Sequence, residues 1–273
     1  MPKVGGWTPL NRVRTPVTPG AARFTPGVTL QTHMKEASDV TALPNGRFLV
    51  VGDQRDWAVI IGTNGERREL DLPGLKRGKS QLEGVAFDAA KGHLFVSREE
   101  AREVLRYSWD GSEDSKASLD KTFDVDAGGP LNKGIEGLAY LSGDVSPTGT
   151  PQLLLAKEGK PRELSLLADS GKGKALPIKL EKEVRAVCRD FSAATIDPKT
   201  GDLFISSDES ATVAQVKLFR DGDKVRGRLI QAIPMRTEKG KALERIEGLA
   251  FDAKGNLFVL TENDGELHQL SRK

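Results

Sequence analysis

The chain has 273 residues, with 41 Lys+Arg against 39 Asp+Glu and a formal charge of +2, which excludes the strongly basic domain of a dedicated nucleic-acid binder. At 37% hydrophobic and 29% charged residues it has the makeup of a folded, soluble protein, long enough for one large domain or two ordinary ones. The single Cys188 rules out an internal disulfide and reads as a buried thiol, while His33, His93 and His268 lie too far apart in sequence for a zinc-type ligand set.

Residues 1–26 carry five prolines, four basic residues and no acid. Such a segment reads as extended chain, either a strap anchored by Trp7 and Phe24 or a docking arm for an acidic partner. It lacks the apolar core of a signal peptide, and no run in the chain approaches the roughly 20 apolar residues that span a bilayer. The expected compartment is the cytoplasm, or the periplasm or exterior if an export signal or anchor precedes the sequence. A β-type segment, GVTLQ (27–31), follows with nothing before it to pair with.

From residue 37 one phrase recurs: ASDVTAL (37–43), LEGVAFD (82–88), IEGLAYL (135–141), FSAATID (191–197) and IEGLAFD (246–252). Its second residue is Ser38, Glu83, Glu136, Ser192 and Glu247, at intervals of 45, 53, 56 and 55 residues. Each phrase leads through a turn into an apolar run, FLVV (48–51), LFVS (94–97), LLLA (153–156), LFIS (203–206) and LFVL (257–260). Pro44-Asn45-Gly46, Lys91-Gly92 and Lys199-Thr200-Gly201 are hairpin chemistry; the third repeat carries a longer insertion, SGDVSPTGTP (142–151). A third and a more polar fourth run complete each unit. The last repeat stops after ELHQL (266–270), one strand short. This pattern predicts an all-β, five-bladed β-propeller over 27–273, its ring closed by the N-terminal strand at about 27–31 completing the last blade.

In such a ring the start of each first strand and the end of each second strand meet at one mouth. The first strands bring Glu83, Glu136 and Glu247; where Ser38 and Ser192 replace the glutamate, Glu36 and Asp190 stand two residues earlier. The second strands end in Asp53, Glu99, Glu158, Asp208 and Glu262. Ten carboxylates at one mouth repel and raise one another's pKa values unless cations intervene. Lys35, Lys133, Arg189, Arg245, Arg98 and Lys157 lie beside them and supply a lattice of inter-blade salt bridges. Alternatively, part of the ring holds a divalent cation, Ca²⁺ ahead of Mg²⁺ because Ca²⁺ accepts six to eight oxygens in flexible geometry. Basic residues on the loops (Lys76, Arg77, Lys79, Lys182, Arg185, Arg236, Lys239 and Lys241) form a rim that could admit an anion to such a metal, as metal-dependent hydrolysis of a phosphoester or lactone requires. No organic cofactor is expected, and neither the Gly-x-Ser-x-Gly elbow of a serine nucleophile nor a Gly-x-x-x-x-Gly-Lys-Ser/Thr phosphate loop occurs. The apolar phrase positions and Gly84, Gly137 and Gly248 read as packing.

DFSAATIDPKTGDLFISSDES (190–210), ERIEGLAFDAKGNLFVLTEND (244–264) and EASDVTALPNG (36–46) resemble the SdiA-regulated family of bacterial proteins. That resemblance implies a β-propeller with no securely established reaction, and its members are often membrane-anchored or exported. The combined expectation is a monomeric binding module for a small ligand or cation in the channel. A metal-dependent hydrolase and a protein-interaction scaffold are the alternatives, and no nucleic-acid partner is expected.

Overall fold

The phrases and runs fold as short antiparallel strands in a computed structural model that describes residues 3–4, 20–53, 57–75, 81–125, 134–157, 162–237, 239–262 and 265–273. β1 (Lys3–Val4) and β2 (Phe24–Gln31) precede the first phrase. Then come β3 (Ala37–Ala42), β4 (Phe48–Gly52), β5 (Trp57–Ile61) and β6 (Arg67–Glu69), followed by β7 (Leu82–Asp88), β8 (His93–Arg98), β9 (Glu103–Ser108) and β10 (Ser118–Asp124). The third unit is β11 (Ile135–Leu141), β12 (Gln152–Lys157), β13 (Glu163–Ala168) and β14 (Leu176–Leu180). A short helix, α1 (Lys182–Val187), leads into β15 (Ala193–Ile196), β16 (Leu203–Ser207), β17 (Thr212–Asp221) and β18 (Lys224–Pro234). The chain ends with β19 (Ile246–Phe251), β20 (Leu257–Thr261) and β21 (Glu266–Arg272).

Within each unit consecutive strands pair antiparallel. The aspartate that closes most phrases explains the tight turn into the second strand. Asp88 Oδ1 accepts the N–H groups of Ala90 (3.0 Å) and Lys91 (3.3 Å), Asp197 Oδ1 that of Lys199 (3.0 Å), and Asp252 Oδ1 that of Asn256 (2.8 Å). These side-chain turns mimic a backbone turn and fix where the strand stops. The inner strands pack edge to edge in the cyclic order β3, β7, β11, β15, β19 and back to β3. Alternation along each strand sends neighbouring residues to opposite faces, so Val50 and Val51 enter different apolar clusters, one shared with β19–β21 and the other with β7–β9.

β2 occupies the place beside β21 that the last unit lacks, from Phe24 opposite Arg272 to Gln31 opposite Glu266. It begins at Phe24, earlier than the expected 27, because Phe24 is an apolar anchor, 4% exposed and edge-on to Phe204 at 6.1 Å. β1 adds a short outer strand to β2; Trp7 lies outside the described residues. One pairing was not foreseen. β14 and β18 join in parallel, Ile178 opposite Val225 to Leu180 opposite Gly227, fusing two units into an eight-stranded sheet. Gly227 permits it, since a Cβ there would stand 2.6 Å from Leu180 Cδ2. Helix α1 was also unforeseen, because six residues are too few for helical periodicity to register. Among the described residues no helix is long and apolar enough to cross a membrane.

Candidate functional site

Four inner strands start with a defect that aims a side chain, while β15 pairs with β16 without one. The ladders β3–β4, β7–β8, β11–β12 and β19–β20 shift register at Ala37/Asp39, Leu82/Val85, Ile135/Gly137 and Ile246/Gly248. The skipped residues include Ser38, Glu83, Glu136 and Glu247, the second residue of the phrase in each case. A bulge leaves its extra residue unpaired and turns it out of the sheet. These side chains gather at one end of the space enclosed by the inner strands, lining a cavity of about 300 Å³ with Glu36, Asp53, Asp190, Ser192, Asp208, Glu209, Arg245 and Glu262.

Eight of the ten carboxylates expected at the mouth therefore line one cavity. Glu99 is buried beside it and hydrogen-bonded to Gly134 N–H at 3.3 Å, and Glu158 lies outside the described residues. Glu209, next to Asp208 in Ser-Ser-Asp-Glu-Ser, joins the wall although the repeat pattern does not select it.

The acids do not behave alike. Asp190 is held rigidly: Ser207 Oγ donates to one oxygen, Ser192 Oγ to the other at 3.2 Å, and Glu209 N–H reaches both at 3.3 and 3.4 Å. Asp208 Oδ1 accepts Ile246 N–H at 3.2 Å, tying the end of β16 to the start of β19 as Glu99 ties the end of β8 to the entry of β11. Here carboxylate-to-amide bonds link one unit to the next.

Arg245 pairs with Glu262 at 3.0 Å, within one unit and not between units as the expected lattice has it, and Arg98 is engaged by Glu103 at 3.0 Å, across β8 and β9, where cross-strand register outcompetes the ring acid. Lys157 is buried, whereas Lys35 and Arg189 are exposed. Of the rim, Lys182, Arg185, Lys239 and Lys241 are exposed and Arg236 lines an adjoining cavity of about 440 Å³. Lys76, Arg77, Lys79 and Lys133 lie outside the described residues.

Two of the glutamates are strongly perturbed. Burial pushes Glu83 up to about 8, aided by the charges of Glu99, Asp53 and Glu247 and opposed by a hydrogen bond from Ser38. Burial likewise lifts Glu247 to about 8, with Asp208, Glu262 and Asp190 adding to the rise and Arg245 opposing it. Among the described residues no three Asp, Glu, His or Cys side chains converge closely enough to hold a bare metal ion as they stand. Cys188 is fully buried and its thiol is pushed to about 12, foremost by burial, so it is an inert packing residue.

A ring of antiparallel sheets around an acid-lined space places the chain among propeller-like all-β proteins. Solved structures share that fold. Aldose sugar dehydrogenase from Streptomyces coelicolor, in its PQQ-bound form, matches at 12% identity and a TM-score of 0.59 over 94% of this chain and 100% of that one. Glutaminyl cyclase from Myxococcus xanthus matches at 16% identity and 0.55 over 90% and 94%. Virginiamycin B lyase from Staphylococcus aureus matches at 15% identity and 0.45 over 85% of this chain and 65% of that one, so this chain spans about two thirds of the lyase. At these identities the likeness to the dehydrogenase and the cyclase is one of fold. A search of curated protein sequences finds no match. The SdiA-regulated family model matches residues 29–264, and the chain belongs to that family.

Proposed function

We propose that residues 27–273 form a five-bladed propeller, strapped by residues 1–26, that acts as a binding module for a positively charged ligand at the acidic mouth. The observation that carries this is the wall of the 300 Å³ cavity, where, among the described residues, nine carboxyl groups and one guanidinium meet. Two of those carboxyls are lifted to about 8 by burial and by their neighbours' charge. A cation relieves both that repulsion and the desolvation. Because the acids are spread around the cavity, a group larger than a bare ion suits it: Ca²⁺ keeping part of its water, or an organic ammonium that spans the wall.

Calorimetric titration of chelator-treated protein with Ca²⁺ and, separately, with spermidine tests the reading. Saturable heat from either, with a matching rise in melting temperature, is expected; no heat from both overturns it. The raised Glu83 and Glu247 favour one second reading, a hydrolase acting on a phosphoester or lactone, since a carboxyl protonated near neutrality serves as a general acid. Turnover of a generic ester that is lost in Glu247→Gln while cation binding persists would distinguish enzyme from binder.

A further inference from the structure

Asp39 is fully buried and belongs to neither end of the central space. It opens the ladder opposite Val51, the fourth residue of its apolar run. Gly137, Ala193 and Gly248 hold the same place opposite Ala156, Ser206 and Leu260. The phrase puts Gly84 in that position in the second unit. Small residues there let neighbouring inner strands close in: a Cβ on Gly84 would lie 2.8 Å from Leu138 Cβ, and one on Gly248 3.0 Å from Val40 Cγ1. Only the first repeat puts a polar side chain at this waist.

What surrounds it is a set of donors. The inward edge of an inner strand is a sheet edge, with N–H groups that no further strand can pair. Asp39 Oδ1 accepts Val40 N–H at 2.8 Å, and Oδ2 accepts Val85 N–H at 2.9 Å. Burial pushes the carboxyl well above the usual carboxylate range, against the opposing pull of the backbone N–H groups of Val85, Val40, Leu138 and Leu249. These four residues directly follow the small-residue position and lie on β3, β7, β11 and β19. Each oxygen accepts a backbone N–H, one from its own strand β3 and one from the neighbouring inner strand β7.

We propose that the inner-strand amides at the waist form an anion-binding site for a small monocarboxylate, filled in this chain by the side chain of Asp39. The convergent N–H groups act as an amide nest does toward anions. Asp39 is then a positioning residue: it bonds β3 to β7, faces the amides of β11 and β19, and stands between the two cavities, which share no lining residue.

Asp39→Gly tests this, because glycine occupies the same position in three other repeats and introduces no clash. The variant should melt about 5–15 °C below wild type, since several buried amides lose their acceptor. Sodium formate at 100 mM should recover at least half of that loss while leaving wild type unmoved. A variant that melts with wild type, or formate that shifts both proteins equally or neither, overturns the proposal. Should Asp39→Gly not fold, hydrogen exchange on the wild-type chain replaces it. The amides of Val85, Leu138 and Leu249 should then exchange as slowly as ladder-paired amides of β8, and rapid exchange overturns the proposal.

Discussion

The two ends of the central space are lined by the same inner strands and have opposite chemistry. At one end lies the acidic cavity of about 300 Å³; at the other, a cavity of about 130 Å³ is walled mainly by Val40, Ala42, Val85, Phe87, Leu249 and Phe251. The difference comes from where each strand starts and stops. At the acidic end β3, β7, β11 and β19 begin with a bulge that expels its polar residue from the ladder. At the other end they run in regular alternation until an Asx turn ends them, so their apolar residues stay on the packing faces. One end gathers charged side chains and the other uncharged ones.

That contrast breaks most sharply at Phe251. Its ring is 7% exposed and edge-on to Phe204 at 4.9 Å, in the cluster that joins β15–β17 to β19–β21. Phe251→Ala should cost about 3–5 kcal/mol in urea unfolding, the usual range for removing a buried aromatic. Cation affinity at the other end, measured on the folded fraction, should stay within about twofold. A large loss of affinity with intact folding would show that the ends are not independent.

At the acidic end the expected order is reversed. Glu83→Gln combined with Glu247→Gln removes the two most perturbed carboxyls and should weaken cation binding by about tenfold or more, equivalent to about 1.4 kcal/mol. Stability should hold or rise, because repulsion and desolvation are relieved together. Unaltered binding would move the ligand away from this mouth. Ser192→Ala sharpens the same point on a smaller scale: it strips one hydroxyl from Asp190 (3.2 Å) and frees Asp208 N–H (3.1 Å), with an expected cost of about 1 kcal/mol in thermal unfolding.

The repeat phrase made most of this legible. Turn residues, apolar runs and the missing last strand located the sheets, and the positions of Glu83, Glu136 and Glu247 within the phrase placed them at one end. Other features depend on contacts between units that share no sequence pattern. The β14–β18 join needs the long β18 and the bare backbone of Gly227, and Arg98 turns to Glu103 because register puts them face to face. Asp39 shows the limit most plainly. It is the one departure from Gly or Ala at its position, a visible anomaly, yet its meaning depends on four amides from strands spread across the whole chain.

The subtlest consequence of the two-ended design is a pH dependence of stability with an unusual sign. Glu83 and Glu247 titrate near 8 in the folded protein and near 4.3 when unfolded. Between these values the folded state holds protons that the unfolded chain has released, so stability falls as pH rises through that window. Without added cation the protein should melt higher at pH 5.5 than at pH 8, by about 10 °C or more. Asp110 and Asp144, held low by hydrogen bonds from nearby hydroxyl and backbone groups, are solvent-exposed and act below this range. In Glu83→Gln with Glu247→Gln the slope between pH 5.5 and 8 should flatten. A saturating cation at pH 8 should restore the melting temperature of wild type but not of the double variant, because it takes the place of the protons it displaces. A wild-type melting temperature that is level or rising from pH 5.5 to 8 would mean that these glutamates are already ionised and balanced, and the acidic end would then be a lattice for cohesion like the apolar one.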